Sequence, residues 1–508
     1  MKNRKSYEEK KAIRRLEEEL GIEDLPRKTR RESKKEQKRL RKQKRDRNRE
    51  FGFVTYSFVA LFLCLMGYIV YFNLFRAEDI LSSAYNERQD MYAKDVVRGA
   101  ILDRDQNVLA ETIVNEDGSE TRSYPFSDLY AHVVGYSSHG KSGLEAKTNI
   151  ELLTSNESFL TKIKRDFQDE KNLGDSVVTT LDSNLQQTAF DALGDRRGAV
   201  VVIEPSTGKI LAMVSKPSFD PNQVDALWQE LNTRDDSVLL NRANQGQYAP
   251  GSTFKLVTAL EYMRENPDYP NYYYECSGAI DHYDLSIACY GHTAHGTVDL
   301  GDSIAYSCNT SFCNIGLGLD IGAYENTAEE VLFGKTLPGE LKSAKSSFGL
   351  TKDASDGDKM MTAMGQGKIQ TSPYHMALIA AAIANGGELM TPYLTDYILN
   401  SSGSEIEKNM PKSYGALMSV DEAAVLKEYM TRVINYGTAT SLGYRSYSVA
   451  GKTGTAEYST DSEKNHSWFI GFTNVDNPDI AISVLIESAE GTGAATDVAG
   501  AVFDAYYN

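Results

Sequence analysis

Cysteine is scarce in this chain, five residues in 508, and a chain of that length can rely on a sizeable core instead. Cys64 sits in an apolar run, while Cys276, Cys289, Cys308 and Cys313 lie far downstream. Cys276 and Cys289 flank a short polar loop and could pair in an oxidising compartment; the sequence leaves that open. Together with His282, His292 and His295 they raise the question of zinc, but the spacings fit no compact ligand pattern. Structural cysteines, free or bridged, are expected, and no metal. Gly-x-Ser-x-Gly is also missing, and with it the clearest sequence mark of a serine–histidine triad. His292, His295 and His466 therefore read as structural. No internal repeat is present.

Charge is absent from Phe51 to Phe75, "FGFVTYSFVALFLCLMGYIVYFNLF". At about 1.5 Å per residue such a helix crosses the roughly 30 Å hydrocarbon core with some tilt. A buried core helix would show a polar face, and no small-x-small cleavage site follows. Residues 1–50 hold 21 Lys and Arg against 11 Asp and Glu, the rest 33 against 60. The dense run "KKEQKRLRKQKRDRNRE" places that side in the cytoplasm, so the body after Arg76 is expected outside the cell membrane. The basic tail reads as a charged helix or disordered segment at anionic headgroups, and the acidic body argues against nucleic acid.

"AEDILSSAYNERQDMYAKD" predicts a helix, and "RGAILDRDQNVLAET" a hairpin around Asp-Gln-Asn. "DSVVTTLD" predicts a strand. Two apolar strands, Ala199–Ile203 and Ile210–Val214, flank the turn Pro-Ser-Thr-Gly. "SYSVAGKTGTAEY", "SWFIGFTN" and "IAISVLIESA" read as three more, before a closing helix, "AATDVAGAVFDAYY". Helical patterns fill the interval, as in "MALIAAAIANGG" and "VDEAAVLKEYMTRVIN". Strands at both ends with helices between predict an α+β fold, one antiparallel five-stranded sheet layered with helices.

Ser-x-x-Lys occurs three times: Ser138/Lys141 in a glycine-rich loop, Ser206/Lys209 in the hairpin turn, and Ser252/Lys255 in "QYAPGSTFKL". Only the third opens a helical run, where i and i+3 share a face. The helix N-terminus adds unpaired N–H groups that favour an oxyanion. A serine hydroxyl needs a base beside it, and a lysine serves as one only when burial or a neighbouring cation lowers its pKa. Lys452, in the single Lys-Thr-Gly, supplies that cation on a predicted strand. Gly454 leaves room there for a substrate backbone, and Thr453 and Thr455 can hydrogen-bond a carboxylate. Ser307-Cys308-Asn309 is the single Ser-x-Asn, a hydroxyl and an amide able to project together from a loop. Ser-x-x-Lys, a Ser-x-Asn-type element and Lys-Thr-Gly, in this order, are the trio of penicillin-binding proteins and serine β-lactamases.

On these residues the chain after Arg76 resembles a class B penicillin-binding protein, a monofunctional peptidoglycan D,D-transpeptidase of short-pedestal type. "RGAILDRDQNVLA", "VVGYSSHGKSGLE", "GAVVVIEPSTGKILAMVS", "APGSTFKLV", "GHTAHGTVDLGDSIAYSCNTSF", "GQGKIQTSP" and "GKTGTAE" follow in family order. The resemblance implies a cytoplasmic tail (1–50), a transmembrane helix (51–75), a mixed α/β pedestal (76–175) and a penicillin-binding transpeptidase domain (176–508). It implies Ser252 as nucleophile towards the penultimate D-Ala carbonyl of a stem peptide, Lys255 as general base, and Ser307 as proton shuttle. Asn309 would bind the donor amide, Lys452 supply positive charge, and Thr453, Gly454 and Thr455 bind the terminal carboxylate. The backbone N–H groups of Ser252 and Thr455 would form the oxyanion hole. No cofactor is implied. β-Lactams would acylate Ser252, and glycan strands would come from a multi-pass membrane glycosyltransferase contacted through anchor and pedestal. Sensor, hydrolase and inactive-scaffold readings compete. The first lacks a tail able to build an effector domain, the second a clear deacylating glutamate, and the third is opposed by the intact trio.

Overall fold

A computed structural model describes residues 2–19, 27–75, 94–283, 285–457, 465–489 and 493–508. The chain divides into two compact units, Met1–Leu81 and Ser82–Asn508. In the first, the charged tail is helical: Lys2–Glu19 is one helix, and Arg27–Phe75 is a second that runs without interruption from the basic segment into the apolar one. Its apolar stretch is long enough to cross a membrane, and the side chains described there are not buried within the protein. The helix expected over residues 77–95 lies, up to residue 93, outside the described residues.

In the second unit the two strand blocks meet. Strands β1 (Gly198–Ile203), β2 (Ile210–Lys216), β3 (Val449–Glu457), β4 (Asn465–Thr473) and β5 (Ala481–Ala489) form one antiparallel sheet in the order β3-β4-β5-β1-β2. The join is β5 on β1, with Val484 opposite Val200. Every residue of β1 is buried, which requires cover on both faces of the sheet. Helices α1 (Ser183–Leu193) and α6 (Ala494–Tyr507) pack together against the sheet. A second group holds α2 (Lys255–Glu265), α3 (Asn309–Gly318), α4 (Pro373–Ala384) and α5 (Val420–Asn435). Helix α4 is apolar all round and buried at every residue, as a central helix must be. Helix α5 starts at a capping box, Ser419 with Glu422, so its first residue is fixed by side chains visible in the sequence.

The predicted hairpin near residue 105 forms from Ile101–Leu102 and Val108–Val114, with Asp103 accepting from the Asp105 and Asn107 amides. It belongs to a six-stranded sheet that also takes in the predicted strand at Ser176–Thr179, together with strands the sequence reading did not include, Glu120–Ser123 among them. Strands Thr395–Leu399 and Glu405–Lys408 come back from far along the chain, and Thr395–Leu399 pairs with Ser176–Thr179. Beside this sheet, Arg98 and Arg122 clamp the buried Glu145 carboxylate at 2.6 and 2.7 Å. Arg98 and Glu145 come from segments that carried the resemblance, while Arg122 lies between them on Glu120–Ser123. Removing the glutamate alone would leave two buried cations uncompensated, so Glu145→Ala is expected to cost about 3–5 kcal/mol, read as a shift of the denaturant midpoint.

Candidate active site

Ser252 sits in a single 3-10 turn, Gly251–Phe254, that runs directly into α2 at Lys255. The turn is wedged between the sheet edge and a glycine corner. Gly251 has a φ of +54°, and its N–H donates to the Gly365 carbonyl at 2.9 Å. Gly365, at φ +80°, approaches so closely that a Cβ there would stand 1.9 Å from the Gly251 oxygen, and only glycine tolerates both conditions. On the opposite side the Trp468 Nε1–H of β4 donates to the Ala249 carbonyl at 3.0 Å. Thr253 Oγ1 closes the turn onto Pro250 O at 2.7 Å.

The Lys-Thr-Gly segment lies along β3, the edge strand, in register with β4: Lys452 opposite Ile470, Gly454 opposite Trp468 and Thr455 opposite Ser467. Gly454 is needed for a reason different from the one the sequence suggested. Its absent Cβ would meet Thr253 Cγ2 at 3.0 Å, Trp468 Cβ at 3.0 Å and Pro250 O at 3.1 Å, so the space it leaves is taken by the turn carrying Ser252. Gly454→Ala is therefore expected to push that turn away by tenths of an ångström and slow penicillin acylation about tenfold or more, given that 1 Å of misplacement costs about 10²-fold. Stopped-flow acylation of a folded variant reads this directly.

Lys255 is wholly buried. Its Nζ donates to Ser307 O at 2.7 Å, Asn309 Oδ1 at 2.7 Å and Ser307 Oγ at 3.3 Å. Ser307 occupies the left-handed region, φ +56°, which turns the chain so that carbonyl and hydroxyl both face the amine. Cys308 then caps α3, accepting at Sγ from the Ser311 amide, and Asn309 is the first helical residue. The other end of the Asn309 amide, Nδ2, donates to Ala288 O at 2.9 Å, so both ends are engaged within the protein. Burial pushes the Lys255 pKa down to about 8. Lys452, also fully buried, is held well below the usual lysine range by burial and by the charge of Lys255; its Nζ donates to Thr453 O at 3.0 Å. Thr453 Oγ1 meets Thr438 Oγ1 at 2.5 Å.

Ser252 is half-buried; its carbonyl accepts from the Lys255 N–H, while its hydroxyl has no hydrogen-bond partner, histidine or other, among the described residues. His466 stacks edge-on against Tyr248 at 5.4 Å, whose hydroxyl donates to Glu487 at 2.7 Å. Arg242 and Arg197 hold the same carboxylate at 2.7 and 3.0 Å. The other two Ser-x-x-Lys pairs do not converge on this site: Lys209, for example, pairs with Asp396 at 3.0 Å. Sequence reasoning missed Gly365, Gln366, whose Nε2 donates to Thr455 O at 3.3 Å, and Trp468. The segment "GQGK" entered only through the resemblance, and nothing in it named Gly251 as its neighbour.

The chain is similar to known proteins over most of its length. The penicillin binding protein transpeptidase domain matches residues 198–508, and the penicillin binding protein A dimerisation domain matches residues 98–177. Peptidoglycan D,D-transpeptidase PbpA of Mycolicibacterium smegmatis is 32% identical over 464 residues, covering 85% of this chain and 92% of that protein. Peptidoglycan D,D-transpeptidase MrdA of Acinetobacter baumannii is 29% identical, covering 76% and 66%. Penicillin-binding protein A of M. tuberculosis, solved as an imipenem acyl-enzyme complex, superposes with a TM-score of 0.74 at 30% identity, over 82% of this chain and 99% of that one. With its Ser-x-x-Lys, Ser-x-Asn and Lys-Thr-Gly elements gathered at one edge of a five-stranded sheet, the chain belongs to the penicillin-binding protein transpeptidase family.

Proposed function

We propose that this peptidoglycan D,D-transpeptidase works through Ser252, and that the buried Lys255 holding Ser307 and Asn309 is its proton-transfer centre. That placement of Lys255 is the observation carrying the reading. Ser252 Oγ attacks the penultimate D-Ala carbonyl of a stem peptide and loses its proton to the neutral Lys255 amine, directly or through the Ser307 hydroxyl. The tetrahedral oxyanion is met by the backbone N–H groups of Ser252 and Thr455; one such donor typically matters by about 10²–10³ in rate. Collapse breaks the C–N bond, and the departing D-Ala amine takes the proton back. An amine of a second stem peptide then attacks the ester, gives up a proton along the same route, and restores Ser252 as the cross-link forms. Thr453 and Thr455 bind the donor's terminal carboxylate, with Lys452 supplying charge when protonated and Asn309 orienting the donor amide. A β-lactam follows the first half of this route and stops as the ester.

In the same reading the tail (1–50) lies in the cytoplasm, residues 51–75 span the membrane, and a pedestal (76–175) carries the transpeptidase domain (176–508) outside. The positive charge before the apolar helix supports that orientation. A separate membrane glycosyltransferase supplies the glycan strands.

The test is intact-mass analysis of the detergent-solubilised full chain with penicillin G, followed by peptide mapping. One drug per chain, on Ser252 and stable for hours, is expected; turnover of the drug instead would favour a hydrolase. Because only the neutral amine accepts a proton, the acylation rate should rise with pH and level off above about pH 8. A flat profile between pH 6 and about 9 would remove Lys255 as the base.

A further inference from the structure

The sequence spacing gave no metal pattern, yet folding gathers three cysteines and a histidine at one point behind the active site. The ligating atoms of Cys276, Cys289, His295 and Cys308 all lie within 4.8 Å of one another. Cys276 ends the strand Tyr274–Cys276, Cys289 follows Leu285–Ala288, His295 precedes Gly296–Val298, and Cys308 caps α3. The pairing of Gly296 with Cys276 sets the histidine beside the first cysteine.

The separations discriminate between possible states. Cys276 Sγ to Cys289 Sγ is 3.7 Å, Cys289 Sγ to Cys308 Sγ is 3.8 Å, and Cys276 Sγ to His295 Nδ1 is 3.4 Å. A disulfide needs about 2.05 Å between sulfurs. Around a tetrahedral zinc ion, with Zn–S about 2.3 Å and Zn–N about 2.0–2.1 Å, the edges are about 3.8 Å for sulfur–sulfur and about 3.6 Å for sulfur–nitrogen. All three cysteines are buried, 3% exposed or less. Thr310 Oγ1 stands 3.2, 3.3 and 3.7 Å from the sulfurs of Cys276, Cys308 and Cys289. With the Ser311 amide at 3.5 Å from Cys308 Sγ, it forms the outer layer of donors that thiolate ligands require. The imidazole lies flat against the Tyr306 ring, 5.7 Å between centroids.

We propose that Cys276, Cys289, His295 and Cys308 form a tetrahedral zinc site that fixes the loop bearing Ser307 and Asn309. Four protein ligands leave no open position, so the ion is structural. Three thiolates and one imidazole are the soft donor set that selects zinc over magnesium or calcium. Cys308 lies between Ser307 and Asn309 in sequence, and Asn309 Nδ2 holds Ala288, the residue before Cys289. Anchoring Cys289 and Cys308 to one ion therefore anchors both residues that accept from Lys255. The four ligands are positioning residues, and none touches the reacting atoms.

Metal content of the full chain, purified in detergent with reductant and without chelator, is the test. Roughly one zinc per chain is expected. Cobalt reconstitution should give thiolate charge-transfer and tetrahedral ligand-field bands, a readout that needs no variant and no activity. Cys289→Ser and His295→Ala should each weaken zinc binding by more than the roughly 10–100-fold typical of losing an outer partner. Cys289→Ser should also slow acylation of Ser252 while leaving its site of attachment unchanged. Absence of bound zinc and of the cobalt bands after reconstitution would overturn the site, as would a mass short by two hydrogens mapping to a Cys276–Cys289 disulfide. Zinc lost from a variant whose acylation rate is unaltered would keep the site and overturn its positioning role. The inference rests on the proposed function only for that last arm, since metal counting is independent of what Ser252 does.

Discussion

Ser252→Ala is expected to abolish the one-drug penicillin adduct and lower cross-linking by about 10⁴-fold or more, in line with nucleophile removal from other acyl-transfer sites. The expectation is sharp because the residue is structurally idle. Its hydroxyl has no hydrogen-bond partner among the described residues, and the turn is held by Gly251, Thr253 and Trp468 instead. The variant should therefore fold as before, within about 0.5 kcal/mol, so loss of the adduct would report chemistry and not unfolding. Ser138→Ala and Ser206→Ala, which break the other two Ser-x-x-Lys pairs, should acylate normally. An adduct surviving in Ser252→Ala, located elsewhere on mapping, would remove this serine as the nucleophile.

The second large effect concerns Lys255. Lys255→Met fills nearly the same volume but removes the amine and its three contacts to Ser307 and Asn309. A positioned base contributes about 10²–10⁴-fold, and the released loop adds to that, so acylation should fall by about 10³-fold or more. Lys255→Arg separates two explanations. A guanidinium keeps the positive charge and can donate to the same oxygens, yet it does not deprotonate near neutrality. If Lys255 is the base, the arginine variant is as slow as the methionine one. If the amine serves only to hold the loop by its charge, arginine restores much of the rate and the proton-transfer role fails. Single-turnover acylation across pH 6 to about 9 distinguishes them, because only a titrating base bends the profile.

Much of the catalytic sheet was legible because its signals are local. β1 and the first five residues of β2 are apolar runs flanking Pro-Ser-Thr-Gly, and α5 is a helical pattern over Val420–Asn435, so composition and spacing located them closely. The site elements were legible for the same reason: Ser252 with Lys255, Ser307 with Asn309, and Lys452 with Thr453 are each separated by no more than two intervening residues. The meeting of the two strand blocks in one sheet was expected, but the individual contacts between distant segments escaped. The loop acceptors of Lys255, the Gly365 corner against Gly251, and the turn packed onto Gly454 arise from three-dimensional proximity with no one-dimensional trace. The cysteines illustrate it best, since gaps of twelve residues (Cys276 to Cys289) and eighteen (Cys289 to Cys308) conceal ligands that fold to within 4.8 Å. Strands 395–399 and 405–408 were missed likewise, their partner Ser176–Thr179 lying far upstream.

That returning hairpin has a mechanical meaning. Thr180 follows Ser176–Thr179 directly, and its hydroxyl bonds the carbonyls of both Ile210, at the start of β2, and Tyr393, which leads into Thr395–Leu399. Lys209 bridges to Tyr393 beside it. The six-stranded sheet is thus welded to the catalytic sheet at a seam where three stretches of chain cross-brace, in place of a lone flexible link. Such a joint behaves as a bracket: a load applied at its foot is carried into the catalytic body as torque and is not spent bending a hinge.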